Sequence, residues 1–592
     1  MSNQEMGKIK IINPSIKRLA RELKAYYLPL LIAIIFSIVS SLLFALAPGK
    51  LSQITDLVSQ AIDKGTRVDL VAVKSIAKNM LILALIAVTI LYVQTFILAT
   101  VSNRFAGYLR LETNKKINRL PLNFFDKNSV GDILSRLTND IDTISQSLNQ
   151  SIGWMLNSLA LLLGVIVLMF YTDVTLAITA ISSSLIGLFL VFIIVKKSQY
   201  YLRIKQKSLG DLNGHIEEVY SGLNVVKAYN GQEESIQKFN RYNNKLYKAV
   251  RKSQFYSANV IPLMNLTGSL GFLTVAIVGA FLVLKNRVSF GVVVEFIVYA
   301  RMFSNPISQI ANAINALQST SAASERVFEF FDQEELQDES HKTIDLDLSK
   351  IKGNIEFEKV DFAYPDSKVQ TIKNFSASIK AGQKIAIVGP TGAGKTTLVN
   401  LLMRFYEISS GQIIIDGIDI KDLTRAQVHD FFTMVLQDTW LFEASIYDNL
   451  VFNMEGVSRD EVVGVCKSLG LDHFINTLPK GYDSLVTNGD ISAGEMQLMT
   501  IARGIIKDAP FLILDEATSN VDTRTEKIVQ KAMEILAKGK TSFIIAHRLS
   551  TIRNADLILF IKDGSIVEQG KHDELMRKKG DYYEMYQSQF IQ

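Results

Sequence analysis

Six stretches of about twenty apolar residues within the first 310 positions constrain this chain more than anything else in it. The hydrocarbon core of a bilayer is ~30 Å thick and a helix rises ~1.5 Å per residue, so ~20 apolar residues suffice to cross it. The stretches are 27–47, about 80–101, 152–171, 174–195, 260–284 and 290–314, the last being the most polar. Backbone N–H and C=O groups cannot face lipid unpaired, so each stretch is expected to be a helix. An overall hydrophobic content of 48% is ordinary; its concentration at one end is not. With 592 residues, that asymmetry predicts a membrane half followed by a soluble half.

Lysine and arginine set the orientation. Residues 196–256, between the fourth and fifth stretches, carry twelve of them, whereas the turn at Thr172 and Asp173 carries none. The first residues are also basic, with Lys8, Lys10, Lys17, Arg18, Arg21 and Lys24. Both termini and the loops 102–150 and 196–258 are therefore expected in the cytosol of a multi-pass protein of the cell membrane. Residues 1–25 are polar, and the apolar run after them is too long for a signal-peptide core. Within the first loop, Ile133, Leu134, Leu137, Ile141, Ile144 and Leu148 recur at helical spacing. The spanning helices are thus expected to continue past the membrane, with short tips near 121–126 and 221–232. Ordinary solvated hairpins are the plainer alternative.

The sixth stretch carries Arg301, Asn305, Gln309, Asn312 and Asn315 at steps of three or four, hence on one helix face. Polar groups on a membrane helix face the bundle or a wet cavity. They either line a translocation path or bond one helix to another. Glu295, near the outer end, could pair with a basic group or a cationic substrate. A net charge of +5 without a long basic run gives no nucleic-acid groove. Cys466 is the only cysteine, which excludes an intrachain disulfide and argues against a Cys–His metal site. It reads as a small buried apolar residue.

The soluble half holds the most specific signal. The short apolar strand 384–388 runs into Gly389, Pro390, Thr391, Gly392, Ala393, Gly394, Lys395, Thr396 and Thr397. This is the strand, glycine-rich loop and helix start of a P-loop. Its N–H groups and the helix N-terminus suit the phosphates of ATP. Lys395 would reach the β- and γ-phosphates and the Thr396 hydroxyl would ligate Mg²⁺. Further on, four apolar residues, 511–514, end in Asp515 and Glu516. Such a run reads as a buried parallel strand with its ligands at the carboxyl end. Asp515 would hold Mg²⁺, and Glu516 would polarise the attacking water.

With these motifs in place, nearly the whole chain resembles an ATP-binding cassette (ABC) exporter half-transporter. The resemblance implies an all-α six-helix transmembrane domain with long cytosolic helical extensions, fused to an α/β P-loop NTPase domain. The expected division is a cytosolic N-terminal segment at 1–25, the transmembrane domain at 26–325, a charged linker at 326–352 and the nucleotide-binding domain at 353–592. It further implies that Tyr364 stacks on adenine, that Gln437 touches Mg²⁺ and water, and that His547 contacts the γ-phosphate. Ser519 and Asp522 would belong to the loop that crosses to a partner's site, and the two loop tips would be coupling helices. The implied activity is ATP hydrolysis coupled to outward transport of small lipophilic compounds across the lipid bilayer, with ATP and Mg²⁺ and no nucleic acid. A non-transport ATPase fits the six spans poorly, and a nucleotide-regulated channel or an importer less well than an exporter. A homodimeric lipid or peptide exporter of the same family is the alternative; the lack of a peptidase segment before the first span speaks mildly against a leader-peptide exporter.

One motif departs from the family. Its signature reads Leu-Ser-Gly-Gly-Gln, but here Ile491, Ser492, Ala493, Gly494 and Glu495 stand in its place, after a shortened segment at 487–490. In the family this helix start clasps the γ-phosphate held by the opposite subunit. Ala493 adds a β-carbon where backbone must approach closely. Glu495 puts negative charge near a polyanion: at ~6 Å and an effective dielectric of ~20, each unit repulsion is of order 3 kcal/mol before screening. The chain thus pairs a complete catalytic half-site with a defective clasp. That predicts a heterodimer with a second half-transporter, one ATP site hydrolytic and the other degenerate.

Overall fold

The computed structural model describes residues 14–344, 350–436, 439–515, 523–545 and 549–590, apart from positions 366, 368 and 488. The chain divides into two compact units: residues 1–118 with 130–333, and residues 119–129 with 334–592.

The first unit is helical. Among the described residues, six helical stretches are long and apolar enough to cross a membrane: Pro14–Asp63, Leu70–Ile117, Val130–Thr172, Val174–Ser221, Asn265–Leu284 and Phe290–Phe331. The helix Val174–Ser221 has 48 residues, about 72 Å at 1.5 Å each, so it extends well beyond a bilayer. It packs along both Gln232–Ala258 and Val260–Leu284, while Phe290–Phe331 packs on Ala47–Asp63 and Ile152–Thr172. Small residues allow close approach: a β-carbon on Gly291 would lie 2.3 Å from the Ser52 carbonyl oxygen.

The first span does not stop at Ala47. Helix Tyr27–Ala45 is followed at once by Ala47–Asp63, with Pro48 at the start of the second helix, where a missing N–H costs nothing. The amphipathic stretch 131–150 buries Ile133, Ile141, Ile144 and Leu148, but Leu134 is exposed. Two wide π turns, Arg136–Asp140 and Ser147–Ser151, explain the difference. Each inserts an extra residue and rotates the buried face. Here Phe105, Leu109, Ile141, Ile144, Val327 and Phe328 share one core. Asp140 is 4% exposed and is bound by Arg326, whose Nε donates at 2.8 Å.

Among the described residues, the second unit is built on two large sheets and a small two-stranded one. Its strands are β1 Ile355–Phe362, β2 Ile372–Ile379, β3 Lys384–Val388, β4 Ser410–Ile415, β5 Ile418–Asp419, β6 Phe432–Val435, β7 Ala444–Ser445, β8 Leu485–Val486, β9 Phe511–Asp515, β10 Thr541–Ile545, β11 Leu557–Lys562 and β12 Ser565–Gly570. An antiparallel sheet runs β2-β1-β4-β5 and a six-stranded sheet β12-β11-β3-β10-β9-β6. In the second sheet only β12 runs antiparallel to its neighbour. Strands buried on both faces need continuous apolar runs, and β9 and β3 supply them. One core joins the sheets through Phe357, Phe375, Ile385, Leu398 and Phe511. A second, under the helices 446–506, holds the fully buried Cys466.

Residues 334–344 form a strap on this unit. Glu339 Oε1 meets Arg404 at 2.8 Å and Arg425 at 2.9 Å, and its Oε2 accepts from the Arg425 N–H at 2.6 Å. Lys342 Nζ donates to the carbonyls of Lys421 and Leu423. Burial alone would raise the Glu339 carboxyl, but the Arg425 N–H, Lys342 and the two guanidinium groups outweigh it and hold it below the usual range. A depressed carboxyl contributes stability above its unfolded pKa and loses it as pH falls through the folded one. Glu339→Gln leaves Arg404, 5% exposed, with one of its two carboxylate partners removed and Glu407 at 3.0 Å remaining. It should destabilise this unit by about 3 kcal/mol and lower its melting temperature by about 6–12 °C, measured by calorimetry.

Candidate nucleotide site

Strand β3 ends at Val388 and the chain turns through 389–394 into the helix Lys395–Leu402. Only glycine fits at 389, because a β-carbon there would come 2.1 Å from the Ile561 carbonyl oxygen. At Gly394 φ is +103°, a conformation that side chains resist, and Ile372 Cδ1 would sit 2.8 Å from a β-carbon. The loop is therefore fixed from behind by β2 and β11. Lys395 Nζ donates to the carbonyls of Gly389 at 2.8 Å and Pro390 at 3.1 Å, which holds the ammonium inside the ring of the loop. Thr391, Gly392 and Thr396 are exposed, while Ala393, Gly394 and Thr397 are buried. Tyr364 is half-buried, and its hydroxyl shares a 3.0 Å hydrogen bond with Thr397 Oγ1.

Strand register brings the second motif to the same edge. Ile545 of β10 pairs with Ile387 of β3 on one side and Asp515 of β9 on the other. Asp515 thus lies in one row with the strand that opens the loop, at the carboxyl end of the sheet. Gln437, Glu516, Ser519, Asp522 and His547 lie outside the described residues.

The divergent signature is a helix start. Ser492 caps the helix Ala493–Lys507 and forms a capping box with Glu495. Glu495 Oε2 accepts from the Ser492 hydroxyl at 2.5 Å and from its N–H at 3.2 Å. Ala493 is exposed and Gly494 is buried. Upstream, Asp490 Oδ2 accepts from both the N–H and the hydroxyl of Thr487, closing a tight turn. Those bonds hold the Asp490 carboxyl below its usual range.

Residues 30–307 match the ABC transporter transmembrane region, and residues 372–519 match the family model described as ABC transporter. The chain belongs to the ABC transporter family. It is 42% identical over 524 residues, 88% of this chain and 82% of the relative, to a fatty acid ABC transporter ATP-binding/permease protein of Mycobacterium tuberculosis. An ATP-dependent lipid A-core flippase of Syntrophus aciditrophicus is 34% identical over 84% of the chain and 83% of its own length. A probable multidrug resistance ABC transporter ATP-binding/permease protein of Bacillus subtilis is 32% identical over 84% and 74%. The fusion of both modules makes this transporter a membrane-embedded half-transporter of the exporter type, which binds ATP, couples its hydrolysis to transport and functions as a dimer.

In the membrane unit of the transporter, Arg301, Asn305, Gln309 and Asn312 are exposed, whereas Glu295 is 7% exposed. The Glu295 carboxyl lies among the hydroxyls of Ser52, Thr172 and Tyr299. The Arg301 guanidinium lies 5.9 Å from the Phe272 ring centroid. Gln309 Oε1 accepts from Ser158 Oγ at 2.5 Å, so it also bonds helix to helix. Sequence reasoning missed the hub of this polar network. Asn157 accepts from Ser37 at 2.6 Å and donates to Gln94 at 3.3 Å, beside a cavity of about 130 Å³ lined by Ser40, Ser41, Asn157, Ser158 and Gln309. Its signal was a run of isolated polar residues inside three apolar stretches.

Proposed function

We propose that this chain is the subunit of a heterodimeric ATP-driven exporter that supplies the catalytic carboxylate, and that it moves lipophilic compounds of the multidrug type outward. The observation that carries the reading is the capping box at Ser492. The hydroxyl and N–H that would face a partner's γ-phosphate are committed to Glu495. A glutamine could form the same box, but a carboxylate also cancels the positive end of its own helix. Against this stands a P-loop with every glycine, lysine and threonine in place.

In the proposed cycle the two ATPase units close head to tail over ATP, and closure turns the membrane cavity outward. The loop N–H groups and Lys395 bind the β- and γ-phosphates, and Tyr364 stacks on the base. Glu516 polarises the attacking water, His547 contacts the γ-phosphate, and Ser519 and Asp522 reach toward the partner's site. Thr396, Gln437 and Asp515 are all oxygen donors, which suits Mg²⁺, an ion that would neutralise charge between the phosphates. Thr396 is exposed on the first turn after the loop and Asp515 shares the row of Ile387, so both stand at the edge where the phosphates would lie. Both termini and the long loops lie in the cytosol.

Arg301, Asn305, Gln309 and Asn312 line the substrate path, supported by their common exposed face, and Glu295 acts behind it. A second reading, export of acyl-chain lipids, is favoured by the fatty acid and lipid A-core relatives. Inside-out vesicles holding the transporter and its partner should take up a lipophilic cationic dye on adding ATP. In Asn305→Leu/Asn312→Leu the preference for the dye over a fluorescent long-chain fatty acid should shift by about tenfold. Uptake of the fatty acid alone by the parent protein would favour the second reading, and an unchanged preference would remove these residues from the path.

A further inference from the structure

The P-loop helix ends at Leu402, and the loop after it is gripped from two distant parts of the chain. One grip is the strap already described. Arg404, at φ +53°, is held by Glu339 at 2.8 Å and by Glu407 at 3.0 Å, and Arg425 reaches Glu407 at 2.6 Å. The other is the short helix Leu122–Lys127, at the tip of the first cytosolic loop, which belongs to this unit. Its Asp126 carboxylate accepts a hydrogen bond from the hydroxyl of Tyr406. Tyr406 is 7% exposed, and its ring stands edge-on to Tyr364, with centroids 5.1 Å apart and planes at 84°. Tyr364 in turn bonds Thr397, next to the Mg²⁺-ligand candidate Thr396.

We infer that Tyr406 is a positioning residue that couples the place of the helix Leu122–Lys127 to the set of Tyr364, and through it to the affinity for ATP. The inference rests on the reading of the P-loop and Tyr364 as the ATP site. Its physical basis is a chain of three contacts without slack. A phenol hydroxyl bonded to a carboxylate is charge-assisted, hence short and directional. Burial, with Asp126 beside it, pushes the phenol far above its usual range, so it remains a donor. An edge-to-face aromatic pair resists rotation of either ring. The strap fixes the backbone at Arg404, so the loop cannot absorb a displacement of the Tyr406 ring. Coupling between two sites is reciprocal: whatever moves the tip changes ATP affinity, and bound ATP biases the tip by the same factor. The bland reading is that the hydroxyl merely satisfies a buried polar group.

The test uses the full-length protein in lipid nanodiscs, with MgATP affinity measured by competition against a fluorescent trinitrophenyl-ATP. Tyr406→Phe keeps the ring and removes only the hydroxyl, and Asp126→Asn alters an exposed side chain, so both variants should fold. Each should weaken MgATP about fivefold. The double variant should bind no more weakly than either single one, because all three break the same link. A second readout places a fluorescent maleimide on Ser129→Cys. Cys466 is buried and its thiol pushed up to about 11, so it stays unlabelled. MgATP should change the emission of this label with Tyr406 present and not with Phe at that position. Equal affinity in all proteins, multiplying effects in the double variant, or an unchanged label response in Tyr406→Phe would each overturn the coupling. Failure of the wild type itself to bind would instead sink the ATP-site reading, and the coupling with it.

Discussion

Replacing Glu516 with glutamine should lower ATP turnover by the assembled transporter by about 10²–10⁴-fold while leaving MgATP affinity within about threefold. The size of the effect follows from position. Asp515 closes strand β9 in the same row as Ile387 of β3, and Glu516 is the next residue in the chain. A carboxylate there can polarise the water that attacks the γ-phosphate. Glutamine keeps the size and the hydrogen-bonding capacity but cannot take up a proton. In the proposed site, binding would depend on other groups, namely the loop N–H groups and Lys395, whose Nζ is set inside the loop by two carbonyls. The check is a pair of measurements on one preparation: steady-state phosphate release and equilibrium nucleotide binding. Loss of both together would mean that Glu516 serves the fold of the site rather than its chemistry.

Much of this architecture was legible in the sequence, for identifiable reasons. Apolar runs long enough to span a bilayer have no soluble use, so the six helices declared themselves. Strand β3 followed by Gly389 to Thr397 is equally restrictive, since the Ile561 carbonyl leaves room at 389 for nothing but glycine. What escaped was anything that depends on which helix meets which. Asn157 and Gln94 each look like a lone polar residue in an apolar run. Only the fold shows that they bond to one another and to Ser37. The Asp140–Arg326 pair links positions 186 residues apart, and neither partner implies the other. The π turns at 136–140 and 147–151 are local, yet their sequences carry no proline or glycine to mark them. The charged stretch 326–352 reads as a linker because its residues are polar. Its helix runs on to Phe331, and Glu339 then finds two guanidinium groups that only the folded second unit brings together.

The signature segment shows the reverse. The substitutions at Ala493 and Glu495 were plain in the sequence, but their local consequence was not. The sequence alone predicts repulsion between Glu495 and a phosphate. The structure adds that Glu495 folds back on its own helix cap and occupies Ser492 before any phosphate could. Clasping a partner's ATP would require breaking the 2.5 Å bond from the Ser492 hydroxyl as well as bringing like charges together. In the proposed pair, both costs would fall on the site formed over the other subunit's nucleotide. Neither touches the P-loop of this chain.

The most direct measurement is therefore ATP hydrolysis by this full-length chain purified without any other half-transporter, in its natural form and as Ala493→Gly/Glu495→Gln. One unit-charge repulsion of order 3 kcal/mol corresponds to about 10²-fold in rate. The account predicts turnover near background for the natural chain. It predicts a rise of about 10–100-fold for the double variant, because both composite sites of a self-assembled pair would regain a clasp. Robust hydrolysis by the natural chain alone, stimulated by a transported dye and indifferent to the two substitutions, would contradict the asymmetric pair and leave a homodimer that tolerates this signature.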